Sequence, residues 1–206
     1  MPVITPLRAA TDVLDRADAL LGLDADPLQD PLRTDVRRLA WAMGVASIDT
    51  YLHWLVHAVD LAAPLPNALR KLDVRFEDLV AMGKSSVTAR QSGKRDRPMV
   101  RARNVLHARV LKDTYQSERG VETALGLAGV TGYWRDLSLH MGEPSPAIKS
   151  HLNSLAARRN SVVHEGDIKR QARPRAIRHK ELSAADVRSE LDWVRRFIAA
   201  LAVVAP

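Results

Sequence analysis

Apolar residues recur along this chain at intervals of three and four, and two-residue alternation is almost absent. That pattern predicts helix after helix, and hence an all-α fold built as a single helical bundle. The first helix is expected over residues 7–21, with Ala10, Val13, Leu14, Ala17 and Leu21 on its inner side. A break between Pro27 and Pro31 precedes a long second helix over about 32–62, ended by Pro64 and Pro66. Between 39 and 59 apolar residues nearly encircle that helix. It is therefore expected at the centre of the bundle, or buried by the bundle on one side and by a partner on the other. One or two short helices over 68–82, another over 100–115, and two more over 118–139 bent near Gly129 and Gly132 complete the middle of the chain. Ser145-Pro146 offers an N-cap and a first-turn proline to the next helix, which Gly166 can close. The last helix starts at Ser183, whose spacing to Asp186 resembles a capping box, and turns Val187, Leu191, Val194, Ile198 and Leu201 toward the core.

With 206 residues the chain suits one domain, 1–206, with a substantial core. The absence of cysteine excludes a disulfide framework, a thiolate zinc site and a cysteine nucleophile. Arg8, Asp12, Asp15, Arg16 and Asp18 interrupt the apolar positions near the start, which is unlike a secretory signal, so a cytoplasmic location is expected. Asp49, His53 and His57 sit in the middle of the longest apolar region, where a membrane helix would bear a heavy cost. No membrane association is expected. Trp41, Trp54, Trp134 and Trp193 read as core anchors rather than base-stacking platforms. Gly83-Lys84-Ser85-Ser86 lacks the first glycine of a phosphate loop, no glycine-rich nucleotide fingerprint is present, and no cofactor is expected.

The formal charge of +7 matters less than its distribution. One excess lies between Gly83 and Arg103, with Lys84, Arg90, Lys94, Arg95, Arg97, Arg101 and Arg103 against Asp96 alone. The other comprises Lys169, Arg170, Arg173, Arg175, Arg178 and Lys180, with no acid among them. Both runs are broken by Pro, Gly, Ser or Gln and read as loops or flexible helix approaches, suited to gripping phosphates without reading bases. As RNA contacts we single out Lys94, Arg95, Arg97, Arg101 and Arg103 in the first, and Lys169, Arg170, Arg173 and Arg175 in the second. Either run could instead be a solvated loop.

Chemistry concentrates in Ala156-Ala157-Arg158-Arg159-Asn160-Ser161-Val162-Val163-His164-Glu165-Gly166, at the end of a helix whose apolar stripe is Ile148, Leu152, Leu155 and Val162. Arg159 falls near the centre of that stripe, and Asn160 and His164 lie about 100° and 140° around from it, so all three fit one broad arc. A guanidinium there is costly unless it is paired or opens into a wet cleft. An ion pair of Arg159 with a buried acid such as Asp49 is the structural alternative. Asp49, His53 and His57 share one helix face, which is either a polar seam or a set of metal ligands.

Arg159-Asn160-Ser161-Val162-Val163-His164 resembles the arginine, polar residue, three variable residues, histidine signature of HEPN domains, and the segment Ala46-Ser47-Ile48-Asp49-Thr50-Tyr51-Leu52 resembles the long early helix of the HEPN branch of stand-alone prokaryotic RNases and toxins. The resemblance implies metal-independent endoribonuclease activity in a cleft between two protomers of a homodimer. It assigns His164 to acid–base work, Arg159 to the charge on a pentacoordinate phosphorus, and Asn160 to orienting His164 or holding a phosphate oxygen. Asp49 is expected to support the cleft. RNA would be cleaved by its own 2′-hydroxyl, as a toxin or defence effector restrained by an antitoxin or regulatory protein. Two other readings stand beside it: a catalytically inactive HEPN-like module for RNA or nucleotide binding or for dimerisation, and a metal-dependent hydrolase built on Asp49, His53 and His57.

Overall fold

The computed structural model describes residues 4–25, 30–170 and 176–205. Among these the chain forms nine α-helices and one 3-10 turn, and its one β-type feature is a single antiparallel bridge between Ile168 and His179. The protein is all-α. Helices α1 (Pro6–Gly22) and α2 (Asp30–Ala58) form the most extensive pair. Then come α3 (Asn67–Arg70), α4 (Phe76–Gln91), α5 (Pro98–Val110), α6 (Glu118–Ala128), α7 (Tyr133–Met141), α8 (Ser145–Glu165) and α9 (Ala184–Val204).

The helix starts follow local chemistry. The Thr5 hydroxyl accepts from the Arg8 amide at 3.2 Å, Ser117 does the same for Gly120 at 3.2 Å, and Ser183 and Asp186 form a reciprocal capping box at the head of α9. Each satisfies amides that the first helical turn leaves without partners. Two expected details differ. Pro144, not Ser145, is the N-cap of α8, because the Ser145 hydroxyl donates to the Trp134 carbonyl at 2.9 Å and so ties α8 to α7. The second helix stops at Ala58, before the prolines, where Arg103 donates to the His57 carbonyl.

Helix α2 is the axis of the bundle, touching α1, α5, α6, α8 and α9. Ile48, Tyr51, Leu52 and Val56 are among its fully buried side chains. At about 1.5–3 kcal/mol for each large apolar side chain removed from water, this burial outweighs the modest helix propensity of its β-branched and aromatic residues. The Tyr51 hydroxyl donates to the Ala205 carbonyl at 2.6 Å and pins the end of α9 to the C-terminal third of α2. One continuous hydrophobic cluster draws residues from most of the helices. Helix α4 stands apart, with Ala89 its only buried residue. Trp193 is buried and Trp41 and Trp134 pack against the core, but Trp54 is 36% exposed, so it is not the core anchor expected of it. No helix among the described residues is long and apolar enough to cross a membrane.

The expected loop over 83–103 is mostly helix. Residues up to Gln91 belong to α4 and those from Pro98 to α5, which leaves only 92–97 as a connection. Ser86 on α4 and Asp96 before α5 both meet Arg101, and that contact is what lets the two helices approach.

Two expectations about stability follow. A β-carbon at Gly120 would lie 2.7 Å from the Tyr115 α-carbon and 2.8 Å from the Thr114 carbonyl oxygen, both backbone atoms that cannot swing aside. Gly120→Ala is expected to destabilise by about 1–3 kcal/mol, read as a lower urea midpoint at unchanged slope. Burial pushes the Tyr51 and Tyr115 hydroxyls up to about 12. In the unfolded chain they lose their protons near 10, so the stability they lend is complete below about pH 10 and is lost as pH rises toward 12. Unfolding midpoints measured between pH 8 and 11 should fall above pH 10, and fall less in Tyr51→Phe.

Candidate functional site

Helix α8 ends on two successive left-handed residues, Gly166 at φ 59° and Asp167 at φ 57°. Aspartate is one of the few residues other than glycine that visits this region without prohibitive strain. The turn closes the helix, with the Asp167 amide donating to the Ser161 carbonyl at 2.9 Å, and it drives the Asp167 side chain inward, where it is fully buried. There its Oδ2 accepts from Arg158 of α8 at 2.7 Å and from Arg38 of α2 at 3.3 Å. The buried ion pair of this region is thus formed by Arg158 with Asp167, not by Arg159.

The same guanidiniums hold the segment that leads into α9. Arg38, Arg158 and Arg37 donate to the carbonyls of Lys180, Glu181 and Leu182 at 3.4, 3.1 and 3.3 Å. Arg37 is itself fixed by a two-pronged bond to Asp24 at 2.7 and 3.0 Å. Next to these contacts, residues 167–169 pair with 178–180. The Lys169 amide donates to the Arg178 carbonyl at 2.7 Å and the Lys180 amide to the Asp167 carbonyl at 2.9 Å. The paired segments stand against the last turns of α8.

Between them lies an open cleft of about 680 Å³. Its α8 side is formed by Ala157, Asn160, Ser161 and His164, which fall at i, i+3, i+4 and i+7 and so share one face. Glu165, Lys169, Arg170 and Lys180 complete it. His164 is exposed, and among the described residues its ring has no hydrogen bond or ion pair. Three other histidines commit a ring nitrogen within the molecule: His151 meets Glu190 at 2.6 Å, His179 the Gly166 carbonyl at 2.8 Å, and His53 the Val110 carbonyl at 3.0 Å; the exposed His140 has no such bond among the described residues either, but it does not line the cleft.

The other expected residues are distributed less simply. Asn160 and His164 share the cleft, but Arg159 is half-buried outside its lining and donates to the Asn160 side-chain oxygen at 3.2 Å. The arc of three is therefore an arc of two, with Arg159 at its edge. Lys169 and Arg170 are in place, the first 3.7 Å from Glu181 and the second 2.5 Å from Glu165. Arg173 and Arg175 lie outside the described residues. In the other basic run Lys94, Arg95 and Arg97 are exposed and none lines the cleft. Arg101 is bound to Asp96 and Arg103 to the His57 carbonyl, so both are structural. The arginine holds the Asp96 carboxyl below the usual carboxylate range.

Asp49 does not line the cleft. It accepts from the Tyr115 amide at 2.6 Å and from the Gln116 side chain at 3.3 Å, anchoring the connection between α5 and α6 to α2. A metal centre on Asp49, His53 and His57 is overturned by these engagements, and no group of three such ligands among the described residues is placed to hold an ion. His57 instead packs its ring against His107 at 4.9 Å. Burial first, and then the charges of His107 and Arg103, lower its proton affinity.

The sequence pattern assigns no role to Ser161 or Asp167, and it places Lys180 in the second basic run without singling it out as an RNA contact. A buried aspartate three residues past His164 had one visible signal, the Gly166-Asp167 pair at a helix end, but nothing local says that arginines from two helices converge on it. Comparisons with protein-family models, with curated proteins and with solved structures find no match to this chain.

The ion-pair arrangement makes a firm expectation. Asp167→Asn keeps a residue that tolerates the left-handed turn but leaves Arg158 without its charge partner and Arg38 with Asp35 alone. A loss of about 3–5 kcal/mol is expected in urea unfolding.

Proposed function

We propose that this protein is a metal-independent endoribonuclease of the HEPN type, working as a homodimer. The observation that carries the reading is the unpartnered His164 ring, exposed in a cleft whose remaining charged groups are mostly cationic. Cleavage of RNA by its own 2′-hydroxyl needs a base to take that proton and an acid to give one to the departing 5′-oxygen. As the 2′-oxygen bonds to phosphorus the bond to the 5′-oxygen breaks, leaving a 2′,3′-cyclic phosphate and a 5′-hydroxyl. Histidine, with an unperturbed pKa of about 6.5, supplies either form near neutrality. One His164 cannot be base and acid in the same step, so a second, from a partner protomer across a two-fold axis, completes the pair. Arg159, joined to the cleft through Asn160, supports the added charge on phosphorus. A nuclease of this kind has to be restrained in the cell that makes it, which fits a toxin or defence effector held by an antitoxin or regulatory protein.

The position of Arg159 outside the cleft lining favours a second reading, a catalytically silent module that binds RNA or dimerises. One assay separates the two. Purified protein is incubated in chelator with a labelled RNA and its all-deoxy counterpart, beside His164→Ala. The enzyme cleaves only RNA and leaves cyclic phosphate, and the substitution lowers the rate at least about 100-fold while RNA binding persists. Absence of cleavage across several RNAs, with binding retained, would establish the silent module instead.

A further inference from the structure

We propose that Lys180 is the phosphate anchor of the cleft, the side chain that holds an RNA phosphodiester beside His164. The inference rests on the nuclease or RNA-binding reading of the same cleft.

Three cations line the cleft, and they are not equivalent. Arg170 is matched by Glu165 and Lys169 by Glu181, each across solvent. Lys180 shares its nearest carboxylate, Asp167, with two arginines. Its ammonium donates to the Ser161 hydroxyl at 2.8 Å and stands 3.9 Å from Asp167, beyond hydrogen-bond reach. Asp167 meets Arg38 and Arg158 at shorter range, both through its Oδ2, which leaves Lys180 only the more distant Oδ1, and Arg38 also takes Asp35 at 2.8 Å. In that cluster three cations face two carboxylates, so positive charge is left over, and Lys180 is its most exposed cation, with a side chain 38% accessible. An ammonium carries three donors, and Ser161 takes one. Two N–H bonds remain for an anion.

Placement supports the same conclusion. Ser161 and His164 are three residues apart on α8, so their β-carbons are about 5–6 Å from each other on one face. A lysine hydrogen-bonded to Ser161 is thus one helical turn from the histidine. The backbone of Lys180 is held on both sides, its amide by the Asp167 carbonyl and its own carbonyl by Arg38. These bonds belong to the main chain and survive replacement of the side chain, so the ammonium reaches the cleft from a fixed base at a reduced entropic cost of binding.

Binding of a 2′-O-methyl RNA oligonucleotide, which lacks the attacking hydroxyl, is measured by fluorescence anisotropy over a salt series. For wild type the logarithm of affinity should fall linearly with the logarithm of salt. Lys180→Gln should bind several-fold more weakly at moderate salt, with a slope shallower by about 0.7, the value of one phosphate contact on a single strand. Lys180→Arg should restore the slope. In the unmodified protein, acetylation of Lys180 read by mass spectrometry should drop several-fold when the oligonucleotide is present, whereas the exposed Lys71 should be modified equally with and without it. Wild-type binding with an unchanged slope in Lys180→Gln and no protection of Lys180 would overturn the anchor while leaving RNA recognition standing. Failure of the wild type to bind the oligonucleotide at all would overturn the reading of the cleft, and the anchor with it.

Discussion

The carboxylate of Asp167, shut away from water at the end of α8, is the constraint on which the site depends. A buried carboxylate is tolerable only when its charge is met by close donors. Here the donors come from elements far apart in sequence: Arg38 from α2 and Arg158 from α8. Satisfying that one group therefore fixes how the central helix, the motif helix and the segment before α9 stand to one another. The arginines also take the Lys180 and Glu181 carbonyls, and so the acid organises main chain that it never touches with its side chain.

This division of labour explains why a chain rich in arginine presents so few free guanidiniums at its cleft. Arg37, Arg38, Arg101, Arg103 and Arg158 are all engaged inside the molecule. They act as struts, bridging helices through carboxylates and carbonyls, a use that suits a planar group with several fixed donors. What remains for a ligand is a smaller set grouped around an unengaged histidine. The surplus of positive charge is thus focused at the cleft as well as spread over exposed residues such as Lys94, Arg95 and Arg97.

The histidines show the same sorting. His53, His151 and His179 each have a ring nitrogen committed to a carbonyl or carboxylate, and His57 faces His107. His164 has a neighbour on its own helix face in Asn160 and a cation nearby in Lys180, yet its ring is unbound among the described residues.

Much of the fold was legible in the sequence because helices announce themselves through local periodicity and local punctuation. The capping box at Ser183, the glycine stop at Gly166 and the bend between Gly129 and Gly132 depend on residues a few positions apart, and each appears where the spacing puts it. The encircling apolarity of α2 likewise reports its central burial, since a helix touched on several sides must be apolar on several sides. The site was legible only in part. Asn160 and His164 share a face by helical spacing alone, but the place of Arg159 at the cleft edge, the pairing of Arg158 with Asp167, the internal use of Arg101 and Arg103, and the arrival of Lys180 beside Ser161 are long-range facts. Periodicity is a property of neighbours along a chain. Which cation meets which acid is settled when distant segments pack, and only the tertiary structure decides it.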